Sequence, residues 1–130
     1  MERYVESLYL DTHAVVWLFA GAFEKFTKEG IARIESSRLY ISPIVLLELQ
    51  YLYEIKRIRY EKSYIFDALA KSIDLKVCDA PFLDVATKAT KHSWTRDPFD
   101  RMIVAQTECG EGMLLSKDRN VLRHFKKAVW

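Results

Sequence analysis

Apolar positions along the chain alternate between short strand-like runs and longer stretches with helical spacing. Ser7 to Leu10 is a strand-like run that stops at Asp11, and Ala14 to Ala20 reads as a helix ended near Gly21. A second helix is predicted over Phe23 to Glu35, with Phe26, Ile31 and Ile34 at helical spacing, followed by a strand at Leu39 to Ile41. Ser42 places a capping hydroxyl just before Pro43, a residue suited to the first helical turn, so a helix should run from Pro43 to about Ile58. A helix over about Ser63 to Ile73 then leads into a strand at Leu75 to Cys78. Asp79 and Pro81 open a helix through about His92, with Asp84 and Lys88 as a solvated i, i+4 pair. Asp97 and Pro98 open another, which Gly110 and Gly112 close before a strand at Met113 to Ser116; Ala128 to Trp130 is a last short strand.

Strands separated by helices predict an α/β fold with a parallel central sheet and helices on both faces. Ligands in such sheets bind beyond the carboxyl ends of the strands, which singles out Asp11 and Asp118 by position. At 130 residues the chain fits a single domain, 1–130, without repeats, linkers or low-complexity segments. With 50 % hydrophobic and 29 % charged residues the composition is globular, and disordered, collagen-like and disulfide-framework folds are excluded. A net charge of +2 is too small for the whole surface to attract a polyanion, so any nucleic-acid contact must come from a local patch. Cys78 and Cys109 lack metal-ligand spacing and read as reduced buried thiols. The longest nearly uncharged apolar run, Ala14 to Phe23, is short of the ~20 residues that span a bilayer, and no signal-peptide pattern opens the chain. A cytoplasmic protein is expected.

The acidic residues carry the most information. Gln50, Glu54 and Arg57 mark one face of the Pro43 helix as wet, and Glu48 lies roughly 120–180° from all three, beside Ile44, Leu52 and Ile55. A lone carboxylate on that face costs several kcal/mol unless it is metal-bound or paired with an arginine such as Arg96 or Arg101. Asp97 and Asp100 resemble a capping box, although one helix start rarely needs two acids. Asp11 and Asp118 have local readings as a helix cap and a turn residue. Together these acids can converge in one cleft. Carboxylates ~4 Å apart repel by about 4 kcal/mol near a protein surface, so such a cluster calls for a cation. Hard oxygen donors without cysteine or paired histidines favour Mg2+ or Mn2+ over Zn2+. Such an ion activates water and neutralises phosphoryl charge, as phosphodiester hydrolysis requires.

His13, His92 and His124 form no ligand set; His13 reads as structural, His92 and His124 as surface or rim residues. Lys117, Arg119, Arg123, Lys126 and Lys127 surround a single acid and offer a basic patch for phosphates or simply a solvated face. Lys56, Arg57, Arg59 and Lys62 form a second basic run with the same two readings.

Four segments, LYLDTHAVVW at 8–17, ISPIVLLELQYL at 41–52, RDPFDRMIVAQ at 96–106 and LLSKDRNV at 114–121, resemble the PIN domain family and, within it, the VapC-type toxin ribonucleases. They occur in family order and cover almost the whole chain. The resemblance implies a three-layer α/β/α sandwich and metal-binding, catalytic carboxylates at Asp11, Glu48, Asp100 and Asp118, with Asp97 as a further metal ligand and Thr12 and Ser116 as accessory residues. It implies Mg2+- or Mn2+-dependent endonucleolytic cleavage of RNA, a homodimer, and a cognate antitoxin that covers the acidic cleft. On that reading Lys117, Arg119 and Arg123 bind the substrate. Trp17, Phe19, Phe23, Tyr51 and Tyr53 provide aromatic surface for subunit contact, or core. One departure stands out: Trp94-Thr95 precedes the Arg96-Asp97 pair where such proteins often carry histidine. Trp94 can pack in a core or dimer contact, or stack on a base.

Two other functions compete. A noncatalytic PIN-fold module that binds RNA or protein would be expected to have lost one of the four acids, and all are present. A phosphoacceptor receiver domain wants an acidic pair at the first strand end, where this chain has Asp11-Thr12.

Overall fold

The computed structural model describes residues 5–130. Along the chain run β1 (Ser7–Leu10), α1 (Thr12–Phe19), a 3-10 turn (Phe23–Lys25), α2 (Lys28–Ser36), β2 (Arg38–Ile41), α3 (Pro43–Glu54), α4 (Lys62–Ile73), β3 (Lys76–Val77), α5 (Phe82–Ala89), α6 (Pro98–Cys109), β4 (Met113–Leu115), α7 (Arg119–His124) and β5 (Ala128–Val129). The strands form one parallel sheet in the order β3-β2-β1-β4-β5, the centre of an α/β/α sandwich. Strands covered on both faces read as continuous apolar runs, and Leu8, Tyr9, Leu10, Leu114 and Leu115 are all buried. Val45 and Leu49 of α3 and Val104 of α6 join that core, each burial worth roughly 1.5–3 kcal/mol for a side chain of this size.

From β1 the chain moves outward to β2 and β3, then crosses back to β4 and β5 on the other side. The switch between β1 and β4 is where an open α/β sheet leaves a crevice at its carboxyl end. Leu10 pairs with Leu115, and the Asp11 amide donates to the Leu115 carbonyl at 3.1 Å. Asp11 and Ser116 are therefore neighbours, each the first residue past its strand.

Several boundaries differ from the sequence reading. The helix expected over Phe23 to Glu35 is split, because the Thr27 hydroxyl accepts the Gly30 amide at 2.9 Å and caps α2 afresh. α1 starts at Thr12 rather than Ala14, since Asp11 is its cap. α3 ends at Glu54, four residues early, with Ile55 exposed and Lys56 in the left-handed region (φ 63°). α5 stops at Ala89, and β3 is two residues rather than four. α7 was not expected; its only buried residue is Val121, so the apolar pattern there is too sparse to read.

Gly110 and Gly112 do close α6, for a tertiary reason. A Cβ on Gly110 would stand 1.8 Å from the Tyr9 hydroxyl, and one on Gly112 2.7 Å from the Ser7 carbonyl. The left-handed turn residue is Glu111 (φ 53°), so the glycines are needed for close approach and not for their φ. Among the described residues no helix is long and apolar enough to cross a membrane. Both cysteines are free thiols, Cys78 buried and Cys109 partly so.

Candidate active site

Asp11, His13, Trp17, Glu48, Asp97, Asp100, Lys117 and Asp118 line one open cleft of about 430 Å³ at the carboxyl end of the sheet. Each acid is held by its element. Asp11 caps α1: its Oδ1 accepts the Thr12 amide at 2.7 Å and its Oδ2 the Ser116 hydroxyl at 2.6 Å. Ser116 is wholly buried, and its Oγ accepts the Asp118 amide at 3.1 Å, so one hydroxyl ties the end of β1 to the loop before α7. The buried Thr12 hydroxyl donates to Glu48 Oε1, which joins the start of α1 to the middle of α3.

Asp97 and Asp118 are helix caps. Asp97 Oδ1 accepts the Phe99 amide at 2.8 Å and the Asp100 amide at 3.4 Å; Asp118 Oδ1 accepts the Asn120 and Val121 amides at 2.8 and 3.0 Å. Asp100 is not the return arm of a capping box, because the Asp97 amide donates instead to the Thr95 hydroxyl at 3.1 Å. Its carboxylate is left to the cleft. Glu48, Asp97 and Asp118 thus spend one oxygen on the scaffold and keep the other without a protein partner among the described residues.

No described ion pair involves these acids; the described pairs are Arg33–Glu6, Lys76–Asp74 and His92–Glu108. Arg96 and Arg101, the partners considered for Glu48, donate to the carbonyls of Ser93 and Thr95. Burial, and behind it the crowding of like charges, raises three of these acids. Burial pushes Asp11 above the ordinary carboxylate range, against the Ser116 and Thr12 hydrogen bonds that favour its charge. Burial likewise raises Glu48, with Asp11 and Asp97 adding to the rise and Thr12 opposing it. Asp100 is pushed up to about 7, by burial first and then by the charges of Asp97, Asp11, Asp118 and Glu48.

All five acids singled out in the sequence therefore meet in one cleft, with Thr12 and Ser116 directly behind it. Lys117 lines the cleft, whereas Arg119 and Arg123 lie on α7 outside its lining. His13, expected to be structural, is exposed and lines the cleft. His92 is half-buried, a rim residue with partners: it meets Glu108 through Nε2 and accepts the Trp94 indole N–H at Nδ1, 3.1 Å. Trp94 stacks on His124 with ring centroids 5.1 Å apart, so it braces the loop before Asp97 and does not line the cleft. Sequence reasoning missed Trp17 as a cleft residue; its place four residues after His13 on α1, with ring centroids 5.8 Å apart, was the available signal.

The donor set is all hard oxygen, which fits Mg2+ or Mn2+. Among the described residues no three acid, histidine or cysteine side chains stand close enough together to hold a metal ion in this arrangement, so the acids share the cleft lining without converging on one point.

The fold has solved relatives. A toxin-antitoxin complex from Klebsiella pneumoniae superposes with a TM-score of 0.66 at 15% identity, over 95% of this chain and 96% of that one. VapBC2 from Rickettsia felis, bound to a DNA fragment from its promoter, gives 0.64 at 17% identity over 90% and 92%. PAE2754 from Pyrobaculum aerophilum gives 0.59 at 26% identity over 96% and 90%. No curated protein matches the sequence. Residues 8–128 match the PIN domain, in keeping with the parallel α/β/α sandwich, and the chain belongs to the PIN domain family.

Proposed function

We propose that this protein is a divalent-metal-dependent endoribonuclease, the toxin of a toxin–antitoxin pair, and that its acidic cleft is the catalytic centre. The observation that carries the reading is the way the acids are mounted. Asp11, Glu48, Asp97 and Asp118 are fixed by scaffold hydrogen bonds, Asp100 is left free, and the group faces a cleft with no paired cation among the described residues. Such preorganised negative charge is costly to hold, and a bound cation is what offsets the cost.

Asp11, Glu48, Asp100 and Asp118 are the residues that would hold Mg2+ or Mn2+, with Asp97 as a further ligand. A divalent ion there supplies a nucleophile from bound water at neutral pH and neutralises charge on a phosphoryl oxygen. Thr12 and Ser116 are positioning residues: each donates its hydroxyl to a ligand carboxylate, which orients the ligand and favours its charged form against burial. Asp100, pushed up to about 7 by burial and by the neighbouring acids, is a group whose deprotonation would accompany metal entry. Lys117 neutralises a substrate phosphate from the cleft wall, and Arg119 and Arg123 extend that contact along α7.

The toxin assignment draws on two of these neighbours, a toxin–antitoxin complex and VapBC2 bound to promoter DNA; an antitoxin partner, its seat over the cleft and a homodimer belong to the same proposed reading. The test is cleavage of a mixed structured RNA pool, tRNA included, with Mg2+ or Mn2+, against EDTA and against Asp100→Asn. Cutting that disappears in both controls is expected. Failure to cut any RNA by folded, inhibitor-free protein contradicts the reading and favours the noncatalytic module.

A further inference from the structure

Trp17 is an odd residue to find lining an acidic cleft. It sits on α1 beyond the Asp11 cap, only partly buried, with the exposed His13 beside it. Its ring is held edge-to-face against Phe26 and Trp130, with centroids at 6.4 and 5.6 Å, and Trp130 is itself stacked on Phe26 at 4.7 Å. The Trp130 indole N–H donates to the Lys25 carbonyl at 3.1 Å, and the Thr27 hydroxyl donates to the Trp130 carbonyl at 2.6 Å. The indole is therefore rigidly mounted by a three-ring cluster.

Two lysine ammonium groups lie over the same ring, Lys25 at 5.3 Å and Lys117 at 5.6 Å from its centroid. Both lysines are exposed and come from different parts of the chain, the end of the 3-10 turn and the loop after β4. A cation over an exposed aromatic face is worth a factor of roughly 2 to 5 in an equilibrium, whereas a nucleobase stacked on a tryptophan is worth roughly 5 to 150. A base is thus the stronger partner for this ring and can displace a lysine from it.

We propose that Trp17 is a nucleobase-stacking platform beside the acidic cleft, which seats an unpaired base flanking the attacked phosphate while Lys25 and Lys117 take the neighbouring phosphates. This rests on the ribonuclease reading, and it makes the preferred substrate a single-stranded or looped RNA, since a base inside a helix cannot offer its face. Stacking accepts any base, so Trp17 sets where along an unpaired segment the strand is held more than which base is held.

The test is binding of a fluorescent single-stranded RNA, followed by anisotropy, in the cleavage-blocked Asp100→Asn protein. Trp17→Ala in that background is expected to weaken binding roughly 5- to 150-fold, and Trp17→Phe, which keeps an aromatic face, by less than about 3-fold. Because Trp17→Ala also removes a packing partner of Trp130, a second measurement leaves the protein unaltered at Trp17. Single abasic sites are scanned along the RNA, and one position should lose at least about 5-fold in affinity. Equal binding by the Trp17→Ala protein, or an abasic scan without such a position, overturns the platform while leaving metal-dependent cleavage intact. RNA that neither binds nor is cut by the natural chain overturns the platform together with the ribonuclease reading.

Discussion

Replacing Ser116 with alanine isolates the hydroxyl on which the cleft is hung. The side chain is wholly buried, donates to Asp11 Oδ2 at 2.6 Å and accepts the Asp118 amide at 3.1 Å. Alanine is nearly the same size, so no cavity forms and the loss is one of hydrogen bonding. A bond to a charged acceptor contributes ~1.5–3 kcal/mol and a neutral one ~0.5–1.5 kcal/mol, which puts the total at ~2–4.5 kcal/mol. For a domain of this length ~1 kcal/mol moves the melting temperature by about 3–4 °C, so Ser116→Ala should melt roughly 6–18 °C lower. Thermal unfolding followed by circular dichroism in EDTA measures it, and the same substitution in an Asp11→Ala background completes a double-mutant cycle. There the loss should shrink by ~1.5 kcal/mol or more, because the charged acceptor is gone. A Ser116→Ala cost under ~0.5 kcal/mol, or one unchanged without Asp11, refutes the idea that this hydroxyl supports the carboxylate.

Other outcomes follow from the same geometry. Asp100 carries a raised pKa of about 7, so its charge is penalised in the fold above pH 7 and the penalty is relieved as pH falls toward the unfolded value near 3.8. Metal-free Asp100→Asn should accordingly melt higher than the natural chain at pH 8, with the difference narrowing as pH falls below 7 and closing only near the unfolded value of 3.8; a difference that is absent or grows on acidification contradicts the charge crowding. Mg2+ should raise the melting temperature of the natural chain more at pH 8 than at pH 5.5, since protons compete for the same oxygens. Gly110→Ala drives a Cβ to 1.8 Å from the Tyr9 hydroxyl, which donates to Cys78 Sγ at 3.2 Å, and should cost ~2 kcal/mol or more in chemical denaturation; a neutral result would mean that Tyr9 yields freely.

What was legible in the sequence was mostly local. Asp11 and Asp97 are helix caps, and a cap is written in a few adjacent residues, as in Asp97-Pro98. Glu48 was found by period, yet part of the argument for it failed, since Ile55 is exposed and the face that enters the core is that of Val45 and Leu49. What settles Glu48 is the Thr12 hydroxyl, 36 residues away in sequence, a contact no window reveals. Gly110 and Gly112 show the same division: their effect on α6 was readable, their cause in the Tyr9 ring was not. Trp17 was hidden because a tryptophan in an apolar helix reads as core, and only the tertiary arrangement brings Lys25 and Lys117 to it. The short helix α7, with one buried residue, left too little pattern to detect, and with it the role of Asp118 as its cap.

The claim on which the function depends is that the acids act together as one cation site. Electron paramagnetic resonance of Mn2+ titrated into metal-free protein tests it without any substrate. The account predicts that the natural chain removes free Mn2+ signal at a stoichiometric site near pH 8, and that Asp11→Asn and Asp100→Asn each weaken that binding by an order of magnitude or more. Mn2+ binding that is absent, or that survives both substitutions unchanged in folded protein, contradicts it.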